Sequence, residues 1–291
     1  NKLPNKSTFF IPNSQMKCVN NVIFSYICSY KLKNIMEIDK RINELLGVLK
    51  PITLPQMSSI RLMNRTDTKF VTSKEKLAQL LELAQGEYYA QSIDGNKVSN
   101  YMTTYWDTDE HLFYMEHHNK RAPRQKVRVR TYLDSGVTFL EVKTKNNHGR
   151  TKKKRIEVEE HELTYCGEKE EFVQGLVRRD LTGIHPTVRN IFHRITLVNY
   201  GKTERLTIDY DVQFLNYETG VKADVGPLVI IELKRDGNVY SPILSMLKKL
   251  RIKPSGFSKY CIGSVITNRG LKHNLFKNRL VRYNKYANTK L

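Results

Sequence analysis

The chain has 291 residues, with 49 Lys and Arg residues against 29 Asp and Glu residues, which gives a formal net charge of +20. Hydrophobic residues make up 40% and charged residues 27% of the sequence, a composition that excludes collagen-like and wholly disordered chains. The length suits one large domain or two small ones, and the positive charge favours a polyanionic or acidic partner: nucleic acid, a phosphorylated small molecule, polyphosphate or anionic lipid.

The cysteine pattern and the apolar runs indicate a cytoplasmic protein. The four cysteines are far apart and form no C-x-x-C pair, which excludes a zinc ribbon and a disulfide framework. The best apolar run, residues 22–28, is far shorter than the roughly 18 residues that a spanning helix needs. No cleavage site typical of a signal peptide follows it.

The first 35 residues differ from the rest because they are rich in Asn, Pro, Ser and Lys and show little periodicity. From Met36 onward, apolar residues recur at helical spacing: Ile38, Ile42, Leu45, Leu46 and Leu49. We therefore expect an N-terminal extension over 1–35, a main domain over 36–267 and a basic tail over 268–291. Two interpretations of the extension stay open: Met36 is the natural start, or residues 1–35 form a flexible arm.

Period-two alternation predicts strands at 126–132, 138–145 and 154–159, each with one apolar and one charged face. Tight turns at 134–136 and 146–149 connect them. A helix is predicted at about 168–180 and another at 241–250, and the remaining predicted strands lie at 192–197, 204–210 and 227–234. Short strands with inserted helices predict an α+β fold, a closed antiparallel β-barrel with flanking helices. For the tail we expect a solvated helix or a disordered segment, the alternative being an arm that guides a polyanion or touches a membrane.

The charged strand faces carry the functional signal. A solvated face would explain any one of them, but Glu232 and Lys234 end a strand whose preceding residues, 228–231, are apolar on both faces. Such a strand is normally covered on both sides, so its charges should face an enclosed polar space. Like charges inside a barrel repel unless an anion lies among them. The pattern therefore predicts a bound phosphate chain together with a divalent metal ion.

Nine motifs occur in one order, at residues 67–70, 105–108, 128–132, 140–143, 152–155, 192–194, 204–209, 231–234 and 257–260. Together they resemble the VTC domain of the CYTH, or triphosphate tunnel, superfamily, over about residues 60–267. The resemblance implies an antiparallel tunnel that binds triphosphate. It also implies an ATP-dependent polyphosphate polymerase, which moves the γ-phosphoryl group of ATP onto a growing polyphosphate chain.

The resemblance implies roles for individual residues. Six cations would act on the reacting phosphates: Lys69, Arg128, Arg130, Arg194, Arg205 and Lys259. Four residues would bind substrate: Lys143, Lys154 (with Lys152 or Arg155 of the same strand as alternatives), Lys234 and Ser258. Three carboxylates would hold Mn²⁺ or Mg²⁺, with Glu232 first and Glu141 and Asp209 as weaker candidates. The expected partners are ATP and polyphosphate, with a membrane protein as a further partner that could bring this cytoplasmic chain to a membrane.

Two departures from the family pattern bear on the reaction. Arg65 stands where many CYTH hydrolases have the first glutamate of Glu-x-Glu-x-Lys, which favours a polymerase over a triphosphatase. Phe192 replaces an expected tyrosine, so a hydroxyl contact is missing. A metal-dependent triphosphatase and a non-catalytic polyphosphate sensor remain alternatives. Nucleic-acid binding through the basic segment 121–155 is not expected, because few aromatic residues interrupt that segment.

Overall fold

The computed structural model describes residues 33–58, 60, 65–148, 150–161, 164–179, 181, 183–237 and 239–287. The expected N-terminal extension lies outside the described residues except for 33–35. Residues 33–48 are helical (α1), as the apolar spacing predicts, and Ile42, Leu45 and Leu46 are buried.

An 11-stranded sheet forms the body of the described protein. Its strands are β1 (Lys50–Ile52), β2 (Arg65–Ser73), β3 (Tyr88–Gln91), β4 (Val98–Asp107), β5 (Arg124–Tyr132), β6 (Thr138–Lys145), β7 (Thr151–Val158), β8 (His185–Asn199), β9 (Glu204–Asn216), β10 (Lys222–Asp224) and β11 (Leu228–Asp236). The flanking helices are α2 (Leu54–Ser58), α3 (Lys74–Ala84), α4 (Leu112–His118), α5 (Glu168–Gln174), α6 (Pro242–Lys249), α7 (Lys259–Thr267) and α8 (Lys277–Ala287). The structure confirms the predicted antiparallel α+β fold.

The main path of the sheet runs in the order β2-β11-β9-β8-β4-β5-β6-β7. Neighbours along this path are antiparallel, whereas β1 pairs with β3 in parallel. Across the described ranges, no ladder joins the two end strands β7 and β2. The predicted closure of the barrel is therefore not shown, although the sheet is strongly curled, as the site below demonstrates.

Strand β11 is apolar on both faces at its start because each face packs in a different hydrophobic cluster. Val229 and Ile231 belong to the hydrophobic cluster that includes residues of α1, α3 and α6, which cover the outer face. Ile230 belongs to the second cluster, on the other side of the sheet. Because side chains alternate along a strand, Glu232 and Lys234 share the face of Ile230 and point away from the covering helices.

The C-terminal helix α8 packs into the main hydrophobic cluster, which corrects the expectation of a solvated or disordered tail. Phe276, Leu280 and Tyr283 are all buried in that cluster, and Ala287 is buried at the end of the helix. The opposite face of α8 is exposed and basic. Within the described residues, no helix is long and apolar enough to cross a membrane.

Candidate active site

Strand register brings most of the predicted cations onto one face of the sheet. Glu232 pairs with Lys69 on one side and Thr207 on the other, and Lys234 pairs with Arg205. On the neighbouring strands, Arg194 lies opposite Asp209, and Arg128 lies opposite Glu141. Directly paired residues lie on the same face of a sheet, so these side chains form one charged surface.

This surface lines a cleft, because the sheet curls until its distant strands approach each other. Five strands separate β2 from β6. In a flat sheet these two would be about 29 Å apart, at roughly 4.8 Å per strand. Yet the ammonium group of Lys143 on β6 feels the charges of Glu232 on β11 and Lys69 on β2. We call this space, lined by the charged faces of β2, β11, β9, β8, β5 and β6 and by uncharged side chains of β4, the central cleft.

Glu232 is the most exposed of the three predicted carboxylates, with 18% of its side chain accessible. Its Oε1 accepts a hydrogen bond from Lys69, and its Oε2 lies 3.1 Å from the Nζ of Lys234. Burial opposes ionisation, but Lys69 and Lys234 outweigh burial and hold the pKa of Glu232 well below its ordinary value. Glu232 is therefore a carboxylate at neutral pH, within reach of the cleft.

Asp209 is held in a buried bidentate pair. The Nε of Arg194 donates to its Oδ1 at 2.6 Å, the Nη2 donates to its Oδ2 at 2.8 Å, and Lys259 also bonds to Oδ2. Burial opposes ionisation, but these two cations lower the pKa of Asp209. Both carboxylate oxygens are occupied, so Asp209 fixes the directions of Arg194 and Lys259.

Glu141 plays the same structural part on the other wall. Its side chain is fully buried, and its Oε2 accepts from the Nε and Nη2 of Arg128 at 2.7 and 2.6 Å. Lys153 donates to Oε1 at 2.8 Å. Burial raises the pKa of Glu141, but Arg128 and Arg130 outweigh it and bring the pKa to about 2.

Helix α7 brings the last two predicted residues to the cleft. Ser258 caps its N-terminus by accepting from the backbone N–H of Cys261, and the Nζ of Lys126 donates to the same hydroxyl at 2.9 Å. Gly263 lets this helix approach the sheet, because a side chain there would collide with the ring of Phe214. The close packing places Lys259 beside Asp209.

Several cations of the cleft are destabilised in their charged forms. Burial and the neighbouring Arg128 lower the pKa of Lys143 to about 7, and burial together with Arg128 lowers that of Arg130 to about 10. Burial also lowers the pKa of Lys259 to about 7, despite Asp209. Lys143 has no hydrogen bond or ion pair in the part of the chain that the structure describes. A polyanion in the cleft would restore the charged forms.

Aromatic rings contact the cations of the cleft. Phe192 stacks on Tyr101 with ring centroids 5.3 Å apart. The Nζ of Lys259 lies 3.9 Å from the Phe192 centroid, and the guanidinium carbon of Arg194 lies 4.8 Å from that of Tyr101. Phe192 lacks the hydroxyl of the expected tyrosine, but its ring face holds the cations by cation–π contact.

The structure does not bring Lys154 to the cleft. Lys154 pairs with Val142, whose side chain lies in the hydrophobic cluster, whereas Lys153 pairs with Lys143 and Arg155 with Glu141. The burial of Val158 shows on which face of β7 Lys154 lies, since the residues two and four positions before Val158 share its face. Lys126 was also missed as a site residue, although it stands two residues before Arg128 in the same alternation.

The donor set fits a divalent metal ion only in company with phosphate. Among the described residues, no three His, Cys, Asp or Glu side chains come together as a metal site. Mg²⁺ is commonly held by one or two carboxylates with substrate phosphates and water. Glu232 fits that role because it is ionised, partly exposed and bonded only to lysines. Glu141 and Asp209 do not fit it as well, because an arginine and a lysine together occupy both carboxylate oxygens of each.

The described residues form an α+β protein whose curled sheet carries arginines and lysines around a few ionised carboxylates. Residues 64–268 match the VTC domain family, so the chain belongs to that family. No curated protein matches the chain significantly.

Solved structures align at low identity. The putative adenylyl cyclase HpAC1 from Hippeastrum, described as having a dominant triphosphatase activity, is 16% identical over 73% of this chain and 99% of its own, with a TM-score of 0.45. A putative adenylate cyclase from Vibrio parahaemolyticus is 8% identical over 69% of this chain and 99% of its own, with a TM-score of 0.41. The Pct1 RNA triphosphatase of S. pombe is 7% identical over 87% of this chain and 90% of its own, with a TM-score of 0.27.

The shifted pKa of Lys143 predicts proton uptake on anion binding. Above pH 7 the free amine is mostly neutral, and a bound anion raises its pKa, so binding of tripolyphosphate takes up as much as about one proton there. Affinity therefore falls as pH rises above 7. Calorimetry at pH 8 in two buffers of different ionisation enthalpy should show less uptake for Lys143→Met than for the wild type.

The matched control for this measurement is Lys152→Met. Lys152 pairs with Thr144 and is exposed, so it lies on the face opposite Lys143, and its variant should take up as many protons as the wild type. Equal uptake by Lys143→Met and the wild type would show that Lys143 does not face the bound anion.

Proposed function

We propose that this chain is an ATP-dependent polyphosphate polymerase, which transfers the γ-phosphoryl group of ATP to a polyphosphate chain in the central cleft. The observation that carries the proposal is the cleft itself. Arg128, Arg130, Arg194, Lys69 and Lys259 converge there around carboxylates that are already paired. Phosphoryl transfer depends mainly on positioning and charge stabilisation, which such an array supplies without a covalent intermediate on the protein. In this role the curled sheet acts as a tunnel.

The side chains divide this work by their fixed directions. Arg194 is oriented by a bidentate pair with Asp209, and Arg128 by two hydrogen bonds to a single oxygen of Glu141. Their remaining N–H groups can therefore bind phosphate oxygens without first being ordered. Lys143 and Lys259 recover full charge next to phosphate and then balance the charge of the reacting group. Arg205, Lys234 and Ser258 complete the proposed substrate-binding set.

The proposed enzyme uses Mn²⁺ or Mg²⁺, with Glu232 as its protein ligand. When bound with the phosphates, the ion supplies Lewis-acid stabilisation of negative charge on the transferring group. Lys69 and Lys234, which bond to Glu232, can turn to phosphate oxygens when the carboxylate binds metal, because lysine is a flexible point charge.

The direct test is incubation of the purified chain with ATP and Mn²⁺, with the products separated into polyphosphate ladder, ADP and free phosphate. A ladder together with stoichiometric ADP is expected. Free phosphate without a ladder would contradict the polymerase and indicate a triphosphatase. Tight triphosphate binding without turnover would indicate a sensor.

A cytoplasmic location and a membrane-protein partner stay predictions from the sequence. Co-purification of the chain with a membrane fraction that is lost after solubilisation of membrane proteins would support such a partner. A chain that always fractionates alone would argue against it.

A further inference from the structure

The cationic face of the cleft continues beyond the site described above, toward the end of the cleft nearest α8. On β5 and β6, Lys126 pairs with Lys143, and Arg124 pairs with Lys145. Arg124 stands four residues from Arg128, which is about 13 Å along a strand. That spacing exceeds the length of a triphosphate group, so Arg124 and Lys145 lie along their strands beyond the phosphates nearest Arg128.

Two helices contribute a neutral histidine and a further cation to this second group. His117 on α4 is half-buried, and its Nδ1 atom is buried without a hydrogen-bond partner. Its imidazole lies among the charges of Lys126, Arg124, Arg279 and Lys145, and burial together with these cations brings the pKa of His117 to about 2. Arg279 on α8 is half-buried, and it lies outside the residues that match the VTC domain.

Most cations of the central cleft are paired with a carboxylate, and these are not. Among the described residues, none of Arg124, Lys126, Lys145 and Arg279 forms an ion pair. Arg124 donates to the carbonyl oxygen of Arg121 at 3.2 Å, and Lys126 donates to the hydroxyl of Ser258. Half-buried like charges around an uncharged imidazole repel each other, and an anion among them would remove that cost.

We propose that Arg124, Lys145, Arg279 and His117, which we call the exit cluster, bind the part of a linear polyphosphate chain that extends beyond the central cleft, next to Lys126 and Lys143 at its border. The inference rests on the proposed function, because it assigns the central cleft to the reacting phosphates. The exit cluster then selects long chains and holds the product while further phosphates are added. Helix α8 is anchored by Leu280 and Tyr283, and by Phe276 directly before it, so it presents Arg279 at a fixed position.

The test compares two probes, sodium tripolyphosphate and polyphosphate of about 100 phosphates, by calorimetry. The variant is Lys145→Ala/Arg279→Ala, and the matched control is Arg282→Ala/Lys285→Ala, which removes two exposed cations from α8. Charge-assisted contacts predict at least about tenfold weaker binding of the long chain to the first variant. Tripolyphosphate affinity should stay within about twofold for both variants, and the control should bind both probes like the wild type.

The outcomes separate the inference from the proposed function. An equal loss of affinity for both probes would place these cations in the triphosphate site and overturn the inference, as would unchanged long-chain binding or an equal loss in the control. A wild type that binds tripolyphosphate but not the long chain would overturn the inference, whereas the proposed function is decided separately by the polyphosphate ladder formed from ATP and Mn²⁺. A wild type that binds neither probe would overturn both.

Discussion

Replacement of Glu232 by Gln is expected to lower metal-dependent turnover of ATP by at least about 100-fold, because metal stabilisation of the transferring group is worth several kcal/mol and each 1.4 kcal/mol is tenfold in rate. Glutamine keeps the shape of the side chain but removes the charge that attracts a divalent ion. The same change frees Lys69 and Lys234 from their carboxylate. Metal-free binding of tripolyphosphate should therefore be as tight as in the wild type or tighter.

Turnover and binding must be measured on the same preparations, by product analysis with Mn²⁺ and by calorimetry without it. Glu75→Gln, on the exposed side of α3, is the matched control and should leave both values unchanged. If Glu232→Gln kept its metal-dependent turnover, Glu232 would not be the metal ligand. If the variant lost metal-free binding as well, the carboxylate would be needed to organise the cleft.

Replacement of Asp209 by Asn is expected to lower the free energy of unfolding by about 3 kcal/mol, because it leaves Arg194 and Lys259 buried without a counterion. An anion in the cleft can take over part of this role. Tripolyphosphate should therefore raise the melting temperature of the variant by more than it raises that of the wild type. Denaturant unfolding and thermal melts with and without tripolyphosphate measure the two effects.

The stability deficit of this variant should also depend on pH. The folded state lowers the pKa of Asp209 below its ordinary value of 3.8, so the stability from its charge is present above that value and is lost as pH falls below it. The deficit should thus shrink as the solution is acidified below pH 4. Glu44→Gln, which breaks the exposed pair with Lys40, should cost less than about 0.5 kcal/mol. An equal cost in both variants would contradict the buried-pair interpretation.

The family and its motifs could be predicted from the sequence because alternation along a strand is a local property. Arg128 and Arg130, or Glu232 and Lys234, share a face whatever surrounds them, since successive side chains point to opposite sides. The same reasoning misplaced Lys154, in a run of four consecutive basic residues whose parity is readable only from the buried Val158 beyond it. The expectation of a solvated tail was wrong for a related reason. The apolar face of α8 is short, and it is buried only because the hydrophobic core has room for Tyr283.

The amino-acid sequence by itself determined the strands from β5 to β9 and β11, the charged faces and the membership of the VTC domain family that the motifs indicate. Only the tertiary structure decided how the carboxylates are used, because Glu141 and Asp209 meet Arg128 and Arg194 across neighbouring strands, which lie 13 and 15 residues apart along the chain. It also brought Arg279 of α8 close enough to His117 of α4 for its charge to act on the imidazole, although the two helices are far apart in sequence. Pairing between distant segments depends on register and curl, and those are properties of the packed sheet as a whole.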